Sequence, residues 1–225
     1  MGLSRTLTIF LAVGTVFMSV PILIVSKRNG IRLWKGAVAA VLLTVVGTIG
    51  TLLMYYVENG RIGGVSFYGA VFLVPVVFAL IALVLRVPYG EMLDLCAVGE
   101  CVMLALMKVR CLMGSCCIGR VLYTTQNGPI RFPSREVEMA VAIVIFIVLM
   151  RWVKKGLHKG ELYTWYLLLY GSTRFVLNFL RAEWQEWTGR IPMGTIWSVC
   201  AVLIGLAALF ISKKKLDRKN EVLEK

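Results

Sequence analysis

One stretch of this 225-residue chain sets residues that could do chemistry at helical spacing: Tyr170-Gly171-Ser172-Thr173-Arg174-Phe175-Val176-Leu177-Asn178-Phe179-Leu180-Arg181. Tyr170, Arg174, Asn178 and Arg181 recur at intervals of three or four and fall on one helical face. Arginine offers a planar fork of donors that matches phosphate oxygens, so Arg174 is the expected anion-binding residue. Arg181 lies one turn nearer the end of the run. It fits equally well a side chain that carries its charge out to an interface.

A second stretch, Lys108-Val109-Arg110-Cys111-Leu112-Met113-Gly114-Ser115-Cys116-Cys117-Ile118-Gly119-Arg120, gathers small residues, cations and thiols where hydrophobicity breaks. A disulfide from Cys111 to Cys116 or Cys117 is one reading and close packing of small residues is the other; spacing does not choose between them. Zinc would want further nitrogen or sulfur ligands, and the sole histidine, His158, lies in a distant basic segment, so no metal is expected. Cys96, Cys101 and Cys200 fall inside apolar runs and read as small core residues. In Phe132-Pro133-Ser134-Arg135-Glu136-Val137-Glu138 the Pro-Ser pair marks a turn and a helix start. Glu138 then enters an apolar run, where pairing with an arginine is its simplest role. Gly63-Gly64-Val65-Ser66-Phe67-Tyr68-Gly69 combines small residues that allow backbones to approach closely with a phenol at Tyr68.

The elements that position these residues follow from composition. Of the chain, 59% is hydrophobic and only 16% charged, which excludes an ordinary soluble domain. Apolar runs suited to a ~30 Å hydrocarbon core occur at 7–25, 37–57, 67–85, 93–107, 137–153, 163–180 and 197–211. Seven transmembrane helices are therefore expected in an all-α integral membrane protein, as one domain over 1–212 with a basic tail at 213–225. The fourth run is short and carries Asp94 and Glu100. Charge inside a span costs about 2.5 to 3.5 kcal/mol on insertion scales, so such residues mark a cavity or a partner.

The net charge of +13 could suggest nucleic acid. The cations sit instead at the ends of apolar runs, and no nucleic-acid partner is expected. Lys27, Arg28, Arg32 and Lys35 fill the first connection, Arg151, Lys154, Lys155 and Lys159 the fifth, and Lys213, Lys214, Lys215, Arg218 and Lys219 the tail. These segments should be cytoplasmic, which puts the amino terminus outside together with the connections near 58–66, 108–135 and 181–194. The first run reads as a retained helix in preference to a cleaved signal because strongly basic residues follow it directly.

In order and spacing, these pieces resemble the prolipoprotein diacylglyceryl transferases of bacterial cell membranes. The resemblance rests on Ser66-Phe67-Tyr68-Gly69, Asp94 fourteen residues before Lys108, the glycine- and cysteine-bearing run to Gly119, Pro133-Ser134 with Glu138, Tyr170-Gly171 with Arg174-Phe175 and Arg181, and Met193-Gly194 with Ser198. It covers about 63–198; the first two runs match by hydropathy alone, without the Tyr-Gly pair of the family's first span. It implies a membrane-embedded enzyme that moves the diacylglyceryl group of phosphatidylglycerol onto the lipobox cysteine thiol of a preprolipoprotein, with no cofactor. Arg174 takes the place of the essential arginine, with Tyr170 and Arg181 as its helix partners and Glu138 as the acid of the fifth span. The phospholipid headgroup would meet Lys108, or Arg110 after a shift of register, with Cys111, Cys116, Gly119, Asn178 and Arg181. The chain departs from the pattern at Lys108, where arginine is usual, at Cys111 and Cys116, where many members have asparagine and glutamate, and at Tyr68, where many have histidine. Two other classes fit these departures: a paralogue that binds phospholipid without transfer, and a thiol-based membrane redox protein.

Overall fold

The computed structural model describes residues 2–114, 117–126, 128–182 and 191–223. In chain order these form α1 (Gly2–Asn29), α2 (Leu33–Asn59), α3 (Tyr68–Leu85) and α4 (Tyr89–Gly114), strands β1 (Val121–Thr125) and β2 (Gly128–Arg131), then α5 (Ser134–Lys155), α6 (Leu162–Asn178) and α7 (Met193–Leu223). Each of the seven apolar runs coincides with one helix. Among the described residues, α2, α3 and the Met193–Lys214 part of α7 are long and apolar enough by composition to cross a membrane. α7 continues as one helix through the basic segment to Leu223.

Two expectations need correction. The fourth helix is not short: its 26 residues rise about 39 Å at 1.5 Å each. Lys108 to Met113 holds no glycine or proline and is rich in straight-chain residues that keep their rotamer freedom in a helix, so the helix runs on past the apolar stretch. Lys108, Arg110 and Cys111 accordingly stand on the last turns of α4 and not in a loop. The connection that follows is also more regular than expected. Its β-branched and aromatic residues form an antiparallel hairpin, with Tyr123 opposite Ile130 and Thr125 opposite Gly128, which together with an isolated bridge between Gly119 and Arg181 departs from an all-helical fold.

The polarity of the bundle is inverted relative to a soluble protein. Val76, Leu80, Leu83 and Val84 of α3 and Leu203 and Phe210 of α7 point outward, at exposures from 60% to 81%, while Asp94, Glu100, Lys108, Glu138, Arg174 and Arg181 are buried. In water such a surface would drive association; in lipid it is the solvated face. α4 is the central element and touches α1, α2, α3, α5 and α6. α2 and α3 come together at Gly50 and Gly69, where a Cβ on either residue would run into the backbone of the other. This close approach sets the start of α3, and hence Tyr68, against the interior.

The basic connections gather at one end of the bundle. Arg28 Nη1 donates to Lys154 O at 3.2 Å, and Lys159 Nζ to Asn29 O at 3.2 Å. Ser212 of α7 is bonded to Glu161 at the same end. Asp94 ties this end together: its carboxylate accepts from Asn29 Nδ2 at 3.1 Å, Gly160 N at 2.7 Å and Leu162 N at 3.0 Å, capping orphan amides at the start of α6.

Candidate functional site

At the opposite end, where α4 and α6 finish and α3, α5 and α7 begin, the structure assembles a buried charge cluster. Lys108 is fourteen residues beyond Asp94 on α4, about 21 Å along the axis. Pro133 precedes α5 and Ser134 opens it, so Glu138 comes inward just after the first turn. One carboxylate oxygen of Glu138 is paired with Lys108 Nζ and the other with Arg174 Nη1 of α6, all three side chains being at least nine-tenths buried. Arg181 is buried as well and within electrostatic reach of Glu138. Lys108 and Arg174 thus share one carboxylate with Arg181 in its reach, so that among the described residues cationic side chains outnumber carboxylates in a place that disfavours charge. Arg174 Nε has no hydrogen-bond partner among the described residues. A surplus of this kind, with a donor to spare, suits an anionic ligand.

Arg181 is placed by backbone pairing after the end of α6. Gly119 bridges antiparallel to Arg181, Arg120 N donates to Leu180 O at 2.9 Å, and Ala182 N donates to Ile118 O at 3.2 Å. Gly119 is required here, because a Cβ would collide with Phe132 O. The strand-like strap 118–120 therefore holds Arg181 at the cluster and brings Cys117 in beside it. Cys117 Sγ lies 3.8 Å from Cys111 Sγ of α4. Hydrogen bonding to Cys111 and the positive charges of Lys108 and Arg181 hold the Cys117 thiol below the usual thiol range, against the opposing effect of burial. Arg135 Nη1 donates to Cys111 O at 3.2 Å and fastens α5 to the end of α4.

Tyr68 enters from α3. Its hydroxyl lies 2.5 Å from Ser198 Oγ of α7, and Ser198 in turn donates to Gly194 O at 2.7 Å. A serine hydroxyl has one proton. With that proton on Gly194 O, Ser198 accepts from Tyr68 and from Asn178 Nδ2, which is 3.2 Å away. Tyr68 thereby commits its proton to Ser198. Tyr170 lines the same wall, with ring centroids 5.8 Å from Tyr68, 5.7 Å from Phe67 and 5.7 Å from Tyr166.

Of the residues singled out in the sequence, the structure brings together Lys108, Glu138, Arg174 and Arg181, with Tyr68, Tyr170 and Asn178 along one side and Cys111 and Gly119 at the strap. Arg110 is not among them. It is exposed and lines a separate, largely apolar cavity between α1, α2 and α4, with Gly14, Met18, Thr44 and Met103. Cys116 lies outside the described residues. Two members have no role at this cluster in the sequence reading, where Ser198 enters only through the resemblance and Cys117 only as an alternative to Cys116 for pairing with Cys111. Ser198 left a signal in its four-residue spacing from Gly194, and Cys117 left none that set it apart from Cys116. Among the described residues no three His, Cys, Asp or Glu side chains gather as metal ligands.

Apolar outer faces around an interior charge cluster define a membrane protein whose polar site is enclosed by its helices. The chain belongs to the prolipoprotein diacylglyceryl transferase family, whose sequence profile matches residues 5–211. Relatives named phosphatidylglycerol–prolipoprotein diacylglyceryl transferase include one from Vibrio atlanticus, 34% identical over 101 residues, covering 43% of this chain and 37% of that protein. One from Campylobacter hominis is 29% identical over 161 residues, covering 67% and 58%. One from Geobacter sulfurreducens is 25% identical over 217 residues, covering 84% of each. The match thus spans less than two thirds of the length of the first two.

Proposed function

We propose that this protein transfers the diacylglyceryl group of phosphatidylglycerol to the lipobox cysteine thiol of a preprolipoprotein. The observation that supports this most directly is Glu138 held between Lys108 and Arg174, with Arg181 adding a third cation. In the reaction the acceptor sulfur forms a bond to the terminal glyceryl carbon of the lipid, the carbon–oxygen bond to phosphate breaks, and glycerol phosphate leaves. Charge accumulates on the phosphate oxygens as that bond breaks. Arg174, including its Nε, together with Lys108 and Arg181 is arranged to receive it, and such prearranged donors usually supply the largest share of catalysis. Glu138 is held by two cations, and Tyr68 has committed its proton to Ser198. The phosphate's own oxygens are then left to take the thiol proton. The chemistry calls on no metal or other cofactor.

The same reading orients the molecule. The basic end is cytoplasmic, the charge cluster faces the outer side of a bacterial plasma membrane, and all seven helices of a single domain over 1–212 cross it, with 213–225 as a cytoplasmic tail. The cluster then meets lipid headgroups and secreted substrates at one surface.

A second reading is that the protein keeps phospholipid binding and lacks transfer. Tyr68 favours it, since a phenol locked to Ser198 stands where many family members have histidine. The test is transfer of label from phosphatidylglycerol to a lipobox peptide by the purified protein, beside Arg174→Ala at equal yield. Transfer that the variant loses supports the enzyme. Lipid binding by well-folded protein with no transfer supports the second reading.

A further inference from the structure

The pair formed by Cys111 and Cys117 goes beyond anion binding. Cys117 has a backbone φ of +57°, a left-handed conformation that a non-glycine residue keeps only where its surroundings hold it. Those surroundings are the strap: Ile118 O accepts from Ala182 N, and Gly119 bridges to Arg181. The result is to aim the Cys117 side chain at the last turn of α4, where its Sγ stands 3.8 Å from that of Cys111. A disulfide needs the two sulfurs about 2.0 Å apart. The remaining approach is within reach of a side-chain rotation on a loop residue.

We propose that Cys111 and Cys117 form a thiol–disulfide exchange pair, in which Cys117 attacks an external disulfide and Cys111 closes an intramolecular one. The geometry divides the roles. Cys117 is half-buried on the loop side of the pair, whereas Cys111 is buried on the last turn of α4. In the first step the Cys117 sulfur bonds to one sulfur of an external disulfide and the other sulfur leaves as a thiolate. In the second, Cys111 gives up its proton to the released thiolate, its sulfur attacks Cys117, and the second external thiolate leaves, taking from solvent the proton that Cys117 released before its attack. Two protein thiols are oxidised and one external disulfide is reduced to two thiols. The cations around Cys117 support the thiolate form that such attack requires. This exchange does not depend on the transfer reading, and its test does not use transfer.

Trypsin cuts after Arg110 and Arg120, releasing residues 111–120 as one peptide, so Cys116 must be separated from the pair. The full-length Cys116→Ser protein, in lipid nanodiscs, is equilibrated with oxidised glutathione, trapped with N-ethylmaleimide and analysed by mass spectrometry. The expected 111–120 peptide carries no label and two hydrogens fewer, and it takes two labels after dithiothreitol. Cys111→Ser in that background should accumulate glutathione on Cys117. Cys117→Ser should react with the oxidant about tenfold more slowly. If Cys116→Ser does not fold, fragment ions from the unaltered chain assign the bond. Two labelled thiols after oxidant, stable glutathione on Cys111, or a bond made only through Cys116 would overturn the proposal.

Discussion

Glu138 of α5 and Arg174 of α6 form an ion pair inside the bundle, and the second oxygen of Glu138 is taken by Lys108 of α4. One carboxylate therefore joins the three helices that carry the site. Its removal leaves buried cations facing one another. Glu138→Gln should lower stability by about 3–5 kcal/mol, the usual penalty for an uncompensated buried charge. Adding Lys108→Met should recover part of that loss. Denaturation midpoints of the single and double variants in one detergent check this, and a double variant no more stable than the single would argue that the three groups are not coupled.

Arg174→Lys keeps the charge and loses the fork. If the guanidinium receives the phosphate in the transition state, the transfer rate should fall about 100-fold, in the range seen when one prearranged donor is removed. Initial rates at saturating lipid give the comparison. A lysine variant within twofold of the parent would mean that charge alone suffices there, as a rough criterion.

Tyr68→Phe separates two roles for the phenol. If Tyr68 serves only to organise Ser198 and Asn178, the variant loses about 1 kcal/mol of stability and less than tenfold in transfer. A general base at that position would be worth roughly 100-fold to 10,000-fold. A loss of the latter size in a folded variant would make Tyr68 the base after all.

Because its pKa is lowered, the Cys117 thiol should remain deprotonated as pH falls through the range in which ordinary thiols protonate. Its alkylation by iodoacetamide should change little between about pH 8 and 6, whereas an unperturbed thiol near 8.5 slows about tenfold per unit. Peptide-level labelling in the Cys116→Ser background measures it. Lys108→Met should raise the pH at which Cys117 labelling fades.

Gly69→Leu tests the α2–α3 approach. A side chain there meets the backbone at Gly50, which cannot swing aside, so the helices must separate at a cost of about 1–3 kcal/mol or more. Tyr68 would be carried away from Ser198 with α3. Reduced thermal stability together with reduced transfer is expected, and an unchanged melting point would show that the helices can part freely.

The helices were legible because hydropathy over about 20 residues is a local property of the chain. Arg174 was legible for a related reason: a cation inside an apolar helix must face something other than lipid. The length of α4 was not. Its last turns carry cations and cysteines that look like the start of a loop, although no residue there breaks a helix.

Sequence alone thus determined a helical membrane protein with an arginine-bearing helix and its family resemblance, since those rest on composition and short-range spacing. Only the tertiary structure decided that Lys108 and not Arg110 meets Glu138, that Ser198 organises Tyr68 and Asn178, and that Cys117 stands at Cys111. Each of those contacts joins separate helices, or a loop to a helix. Which faces meet depends on the rotation and depth of the packed helices, and the glycine contacts at Gly50, Gly69 and Gly119 set these through backbone collisions that appear only once the chain has folded.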